Sequence, residues 1–153
     1  MLFRSGYYAA TQYHLETVRK QAAIYRERLA ALGKDVSKAV VAVNRTTFVA
    51  ETDEQARREG RACVTHVLDS YRSFRALTDE HGTPYPADMD LFEKLGEEVY
   101  FCGSPQTVAA SIARYVEAGV TRFHLRVSMA DLPLKHAERT VRLLGEHVLP
   151  KFR

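Results

Sequence analysis

Much of what would announce a function is missing from this chain. Its two cysteines, Cys63 and Cys102, stand far apart and in no CxxC pair. That argues against a disulfide framework or a zinc site and fits a reducing cytoplasm. The six histidines (His14, His66, His81, His124, His136 and His147) form no HxH or HxxxH pair, so no metal is expected. Asp88 and Asp90 lack the other positions of a calcium loop. GxSxG, P-loop and GxGxxG motifs are all absent. No apolar run approaches the ~20 residues of a membrane span, and the start has no apolar signal-peptide core. Net charge is +3, but basic and acidic residues alternate, as in Glu51–Glu59. This is the pattern of a solvated helix face and leaves no clustered footprint for nucleic acid.

What remains is 153 residues, 46% hydrophobic and 27% charged, enough for one ordinary domain with its own core. Tyr7 to Thr11 reads as a short strand. Leu15, Val18, Ala22, Tyr25, Leu29 and Leu32 recur at helical spacing, and Gly33 is placed to stop that helix. Val40 to Ala50 is rich in β-branched residues and reads as a buried strand. Thr52 or Asp53 caps a helix running to about Leu77. His81 to Asp88, with two prolines and a glycine, is a loop, and Leu91 to Leu95 a short helix. Ser104 caps a further helix with Pro105 at its first position; that helix ends at Gly119. Phe123 to Ser128 is a strand, and a last helix runs from Leu134 to Val148, ended by Pro150. The order β-α-β-α-loop-α-β-α predicts an α/β fold with right-handed crossovers and three parallel strands.

Three parallel strands cannot close, and parallel strands need cover on both faces. The last strand sharpens the problem. Phe123, Leu125 and Val127 point one way, while His124, Arg126 and Ser128 point the other. A polar second face suits the interior of a barrel, whose active site sits at the C-terminal strand ends. Arg126 needs a partner there, either a ligand or a neighbouring strand, whereas His124 reads as structural. Tyr8, Ala10 and Thr11 end the first strand at the same mouth. Asn44 and Thr46 interrupt the apolar middle strand and either meet a ligand or satisfy one another. Gly103-Ser104-Pro105-Gln106 reads as a well-made helix cap more than as an anion cradle.

An ordered series of short segments carries a resemblance to a known family. It comprises Gly6-Tyr7-Tyr8, Ile24-Tyr25-Arg26-Glu27 with Gly33-Lys34-Asp35, and Phe48 to Ala56. Then come Gly103 to Ala109, Tyr115 to Val120, Phe123 to Arg126, and Leu143 with Val148-Leu149-Pro150. From Tyr7 onward the chain resembles the C-terminal half of the luciferase-like flavin-dependent monooxygenases. The resemblance implies a (β/α)8 TIM barrel, of which this chain supplies about strands 6–8 and their helices, with the N-terminal half missing. Residues 1–5 are then expected to be a non-native scar, residues 6–153 a partial barrel domain, and 78–101 an insertion or lid over the mouth.

The family implies reduced FMN as co-substrate, or the deazaflavin F420 in a sister group of reductases and dehydrogenases. Tyr8, Ala10 and Thr11 are expected beside the cofactor, and Asn44, Arg126 and Ser128 in the substrate pocket; the catalytic residues stay unassigned. A small organic substrate, a flavin reductase and a homo-oligomeric full-length protein are the implied partners. The fragment alone is expected to be inactive, and to aggregate, self-pair or require its other half. The alternatives are an F420-dependent enzyme, a non-catalytic flavin-binding or interaction scaffold, or a ligand-free half-barrel.

Overall fold

One strand organises this protein. In the computed structural model, which describes residues 6–79, 81–129 and 132–152, β2 (Val41–Val49) pairs in parallel with every other named strand. β1 (Tyr7–Ala9) lies against Val41–Val43, and β4 (Arg122–Arg126) against Ala42–Thr46. Both engage Ala42 and Val43, so they occupy opposite edges of β2. β3 (Tyr100–Gly103) pairs with the far end, Thr46–Val49. The sequence predicts three strands, and the sheet has four. Tyr100–Gly103 is short and runs directly into a helix cap, which hides its strand character. β1 and β4 are also shorter than expected, ending at Ala9 and Arg126 rather than at Thr11 and Ser128.

Among the described residues five α-helices connect and cover the strands: α1 (Leu15–Ala31), α2 (Asp53–Ser73), α3 (Leu91–Leu95), α4 (Pro105–Glu117) and α5 (Leu134–Leu143). Their ends follow local chemistry. Thr52 accepts from Gln55 N, Asp90 from Phe92 N and Glu93 N, and Ser104 from Thr107 N, each capping the helix that follows. Gly33, at φ 65°, ends α1, with Lys34 N reaching back to the Leu29 carbonyl. Leu15, Val18 and Ala22 are buried as their spacing predicts, but Leu32 lies beyond the helix and is 72% exposed. α2 stops at Ser73, four residues before the expected end, and Arg75 takes the left-handed turn at φ 53°. α5 does not run on as α-helix to Val148. It widens into a π-turn over Leu144–Val148, and Pro150 sits inside a final 3₁₀ turn, Leu149–Phe152.

Two apolar clusters result. The first puts Val41, Val43 and Val49 of β2 against Leu15 and Val18 of α1, Ile112 and Tyr115 of α4, and Leu143 and Val148 at the C-terminus. The second joins Phe48 to Val64 and Leu68 of α2, Leu91, Phe92 and Leu95 of α3, and Tyr100. Full burial of aliphatic side chains of this size stabilises by about 1.5–3 kcal/mol each. Hence Leu91, Phe92, Leu95, Val99 and Tyr100, in the second half of the expected 78–101 segment, are buried in the core. The expected scar, residues 1–5, lies outside the described residues. No helix is long and apolar enough to cross a membrane among the described residues.

Candidate active site on the open face of the sheet

The two faces of the sheet differ in kind. Phe123, Leu125 and Val127 turn toward the first apolar cluster with Val41 and Val43, as the alternation predicts. The opposite face carries three rows set by strand register: Tyr8 beside Ala42 and Arg122, Asn44 beside His124, and Thr46 beside Arg126. Because all strands are parallel, their C-terminal ends gather at one end of this face. Tyr8 is half exposed, His124 exposed, and Thr46 buried. Four of the expected site residues (Tyr8, Asn44, Arg126 and, beyond the strand end, Ser128) therefore belong to this face and its mouth. Ser128 is exposed, two residues past the end of β4.

The polar groups of this face are only partly used. Arg126 Nη2 donates to Thr46 Oγ1 at 2.7 Å, while its Nε is buried with no hydrogen-bond partner. Arg126 makes no ion pair among the described residues; its partner on the neighbouring strand is the neutral Thr46 hydroxyl. Asn44 Oδ1 is likewise buried and unpartnered, while Thr46 is taken by Arg126 rather than by Asn44. Buried polar atoms are normally satisfied; on this face one donor and one acceptor are left without a protein partner.

Ala10 and Thr11 are arranged differently. Their backbone carbonyls turn inward, toward a residue that the sequence pattern conceals: Arg45, fully buried on the helix-facing side of β2. Its only advance signal is a single cation inside an apolar run. Arg45 also donates to the carbonyls of Tyr13 and Asn44, each at 2.8 Å, and to the hydroxyl of Tyr115 at 3.0 Å. Tyr115 in turn donates to the Glu98 carbonyl at 2.6 Å. Burial raises the Tyr115 hydroxyl's pKa, with Arg45 opposing it.

Beside this turn a cleft of about 740 Å³ opens between the start of α1 and the 79–98 segment. His14 Nε2 and the Tyr85 hydroxyl meet across it at 3.2 Å. Asp79 shapes its rim by accepting from the amides of His81 and Thr83, the Thr83 bond being the main cause that lowers its pKa. No group of histidines, cysteines and carboxylates suited to a metal ion occurs among the described residues.

The chain is similar to 2,5-diketocamphane 1,2-monooxygenase 1 of Pseudomonas putida, 30% identical over 129 residues. That match covers 72% of this chain and 34% of the relative. Among solved structures it resembles the oxygenating constituent of 3,6-diketocamphane monooxygenase of P. putida, a type II Baeyer–Villiger monooxygenase in complex with FMN. Identity is 25%, with a TM-score of 0.69 and coverage of 94% of this chain and 42% of that one. Monooxygenase RslO1 of Streptomyces bottropensis shares the fold at 22% identity, with a TM-score of 0.76 over 97% of this chain and 42% of its own. The chain thus spans between a third and a half of the proteins it matches. The family model for luciferase-like monooxygenases matches residues 4–122, and on that match the chain belongs to the luciferase-like monooxygenase family.

Proposed function

We propose that this chain forms strands 6–8 of a flavin-dependent (β/α)8 barrel whose complete form is a monooxygenase using reduced FMN and dioxygen on a small organic substrate. The observation that carries this is the contrast between the faces: one sealed by helices, the other polar, open and holding the unpartnered Asn44 Oδ1 and Arg126 Nε. Among the described residues no strand pairs with the outer edge of β1 or β4, as expected where neighbouring barrel strands belong.

The residues fit a flavin site. The Tyr8 ring is half exposed and free to stack, and Ala10 and Thr11 follow it in the chain at the end of β1. Arg126 and Asn44 would meet polar groups of the substrate, and Ser128 would line the mouth. Reduced flavin, when bound, supplies the electrons that activate dioxygen. The protein's share is to orient ring and substrate and to keep water out, a role proposed for 78–90, the part of the expected 78–101 segment that holds no core residue among those described. A separate flavin reductase and a homo-oligomer of the full-length protein belong to the same reading.

The test is a fluorescence titration with FMN and with F420, on this chain and on a version completed with an N-terminal half-barrel. Binding of FMN by the completed protein, weakened in Tyr8→Ala but kept in Arg126→Ala with Asn44→Ala, supports the monooxygenase. Preference for F420 moves the reading to hydride transfer. Binding of neither by folded protein moves it to an interaction scaffold.

A further inference from the structure

We propose that Arg45 is the positioning residue of this site: its guanidinium holds the Ala10–Tyr13 turn in the shape that presents it to the cofactor. The proposal rests on the flavin reading above for its ligand, but its structural half stands by itself.

Arg45 has no exposed surface and no ion pair among the described residues. Every acceptor around it is a neutral dipole. Nη1 donates to the carbonyls of Asn44 at 2.8 Å and Thr11 at 3.1 Å, with Ala10 at the longer reach of 3.5 Å. Nη2 donates to Tyr13 at 2.8 Å, and Nε to the Tyr115 hydroxyl at 3.0 Å, with the Tyr115 ring centroid 4.7 Å away. Three of the four carbonyls belong to one turn, directly after β1 and at the mouth of the polar face.

A buried cation stripped of its acceptors is costly, so this turn cannot rearrange without stranding the charge. The turn is thereby tied to β2 and, through Tyr115, to the Glu98 carbonyl in the segment beyond the cleft. A packing role alone would not call for an arginine. Position 45 shares its face with Val41 and Val43, where an apolar side chain would fill the space. Nor does charge alone explain it, because a lysine ammonium is a point and cannot span acceptors spread around a planar fork.

The experiment compares this chain with Arg45→Lys, which keeps the charge and loses the fork, and with Arg45→Met, which loses both. Amide hydrogen exchange is read across residues 10–14 and, as internal reference, across 60–66 of α2, which packs in the other cluster, and each protein is titrated with FMN. The expected result is an increase in exchange of about tenfold across 10–14 in both variants, with the α2 peptide unchanged, as for loss of one or two charge-assisted hydrogen bonds. Where the wild type binds FMN, affinity falls by a similar factor.

Equal loosening of both peptides would overturn the proposal, since that is the behaviour of a core strut. Unchanged exchange across 10–14, or full rescue by lysine, would overturn it too. Selective opening of the turn with no FMN binding by any form, wild type included, upholds the positioning role and sinks the flavin reading. If neither variant folds, Tyr115→Phe decides. It keeps the ring and removes the hydroxyl, which is both the Nε acceptor and the donor to the Glu98 carbonyl, and a selective rise of about twofold across 10–14 is expected; no rise there overturns the proposal.

Discussion

Thr140 and Val49 are joined by two hydrogen bonds: the threonine hydroxyl accepts from Val49 N at 3.1 Å and donates to the Val49 carbonyl at 3.3 Å. One side chain on α5 thus does for the end of β2 what a neighbouring strand would do. Thr140 is fully buried, so Thr140→Val, which keeps the shape, leaves two backbone groups without partners. It should cost about 1–3 kcal/mol, read as a lower midpoint in urea with an unchanged slope.

Arg75 ends α2 in a conformation that suits glycine, with Arg75 N bonded to the Arg72 carbonyl and Ala76 N to that of Tyr71. Arg75→Gly should stabilise the protein by about 1 kcal/mol, because the left-handed turn strains any residue with a Cβ. A melting temperature at or below that of the wild type would contradict this.

Glu59 joins α2 to α5 through Arg139 at 2.6 Å and accepts from Gln55 as well, with His136 Nδ1 3.2 Å away. Chiefly through the Arg139 hydrogen bond, its carboxyl is lowered from 4.5 to about 2. A carboxylate depressed in the folded state stabilises above its unfolded value and loses that contribution as it protonates. The advantage of wild type over Glu59→Gln should therefore be full above pH 4.5 and shrink as pH falls toward 2. Urea titrations of both proteins at pH 6, 4 and 3 measure it; a constant gap would remove Glu59 as the source.

Asn44 and Arg126 give opposite expectations for stability and for binding. If their unpartnered atoms serve a ligand, Asn44→Leu should leave the ligand-free protein as stable as wild type or up to about 1 kcal/mol more so. Substrate binding should fall in the same variant. A clear loss of stability without ligand would mean that Asn44 serves the fold.

Cys102 is partly buried against the second cluster, its thiol 3.5 Å from the Ala56 carbonyl and pushed up to about 12 by burial. Only the thiolate is strongly nucleophilic, so iodoacetamide at pH 8 should leave Cys102 unmodified in native protein and alkylate it fully in urea. Peptide mass spectrometry reads both states, and rapid native labelling would show that the cluster opens.

Legibility in the sequence followed the length scale of the signal. α1, α2 and α4 were readable because periodicity, caps and stops agreed over several turns, as with Ser104-Pro105 and Gly33. β3 was not, since four residues carry no period and Gly103 belongs visually to the cap. The early end of α2 was missed because arginine replaces the glycine that normally marks it. On the site, strand alternation set His124 and Arg126 opposite Phe123 and Leu125, as in the observed register of β4 on β2, whereas Ser128 lies past the strand end. Arg45 escaped because its meaning lies in carbonyl groups of residues 10–13, and backbone acceptors leave no trace in a list of side chains.

The pairing of β2 with all other strands also sets a schedule for synthesis. The β4 partners of Ala42 to Thr46 follow 80 residues later in the chain, as the Thr46–Arg126 bond spans. At typical translation speeds of about 5–20 residues per second, that edge waits roughly 4–16 s after β2 is made before its neighbour exists. During that interval Val41 to Val49, the most β-prone stretch of the protein, offers an unpaired edge to any other nascent chain. The hub that organises the finished sheet is thus the point at which a growing chain is most in need of a chaperone.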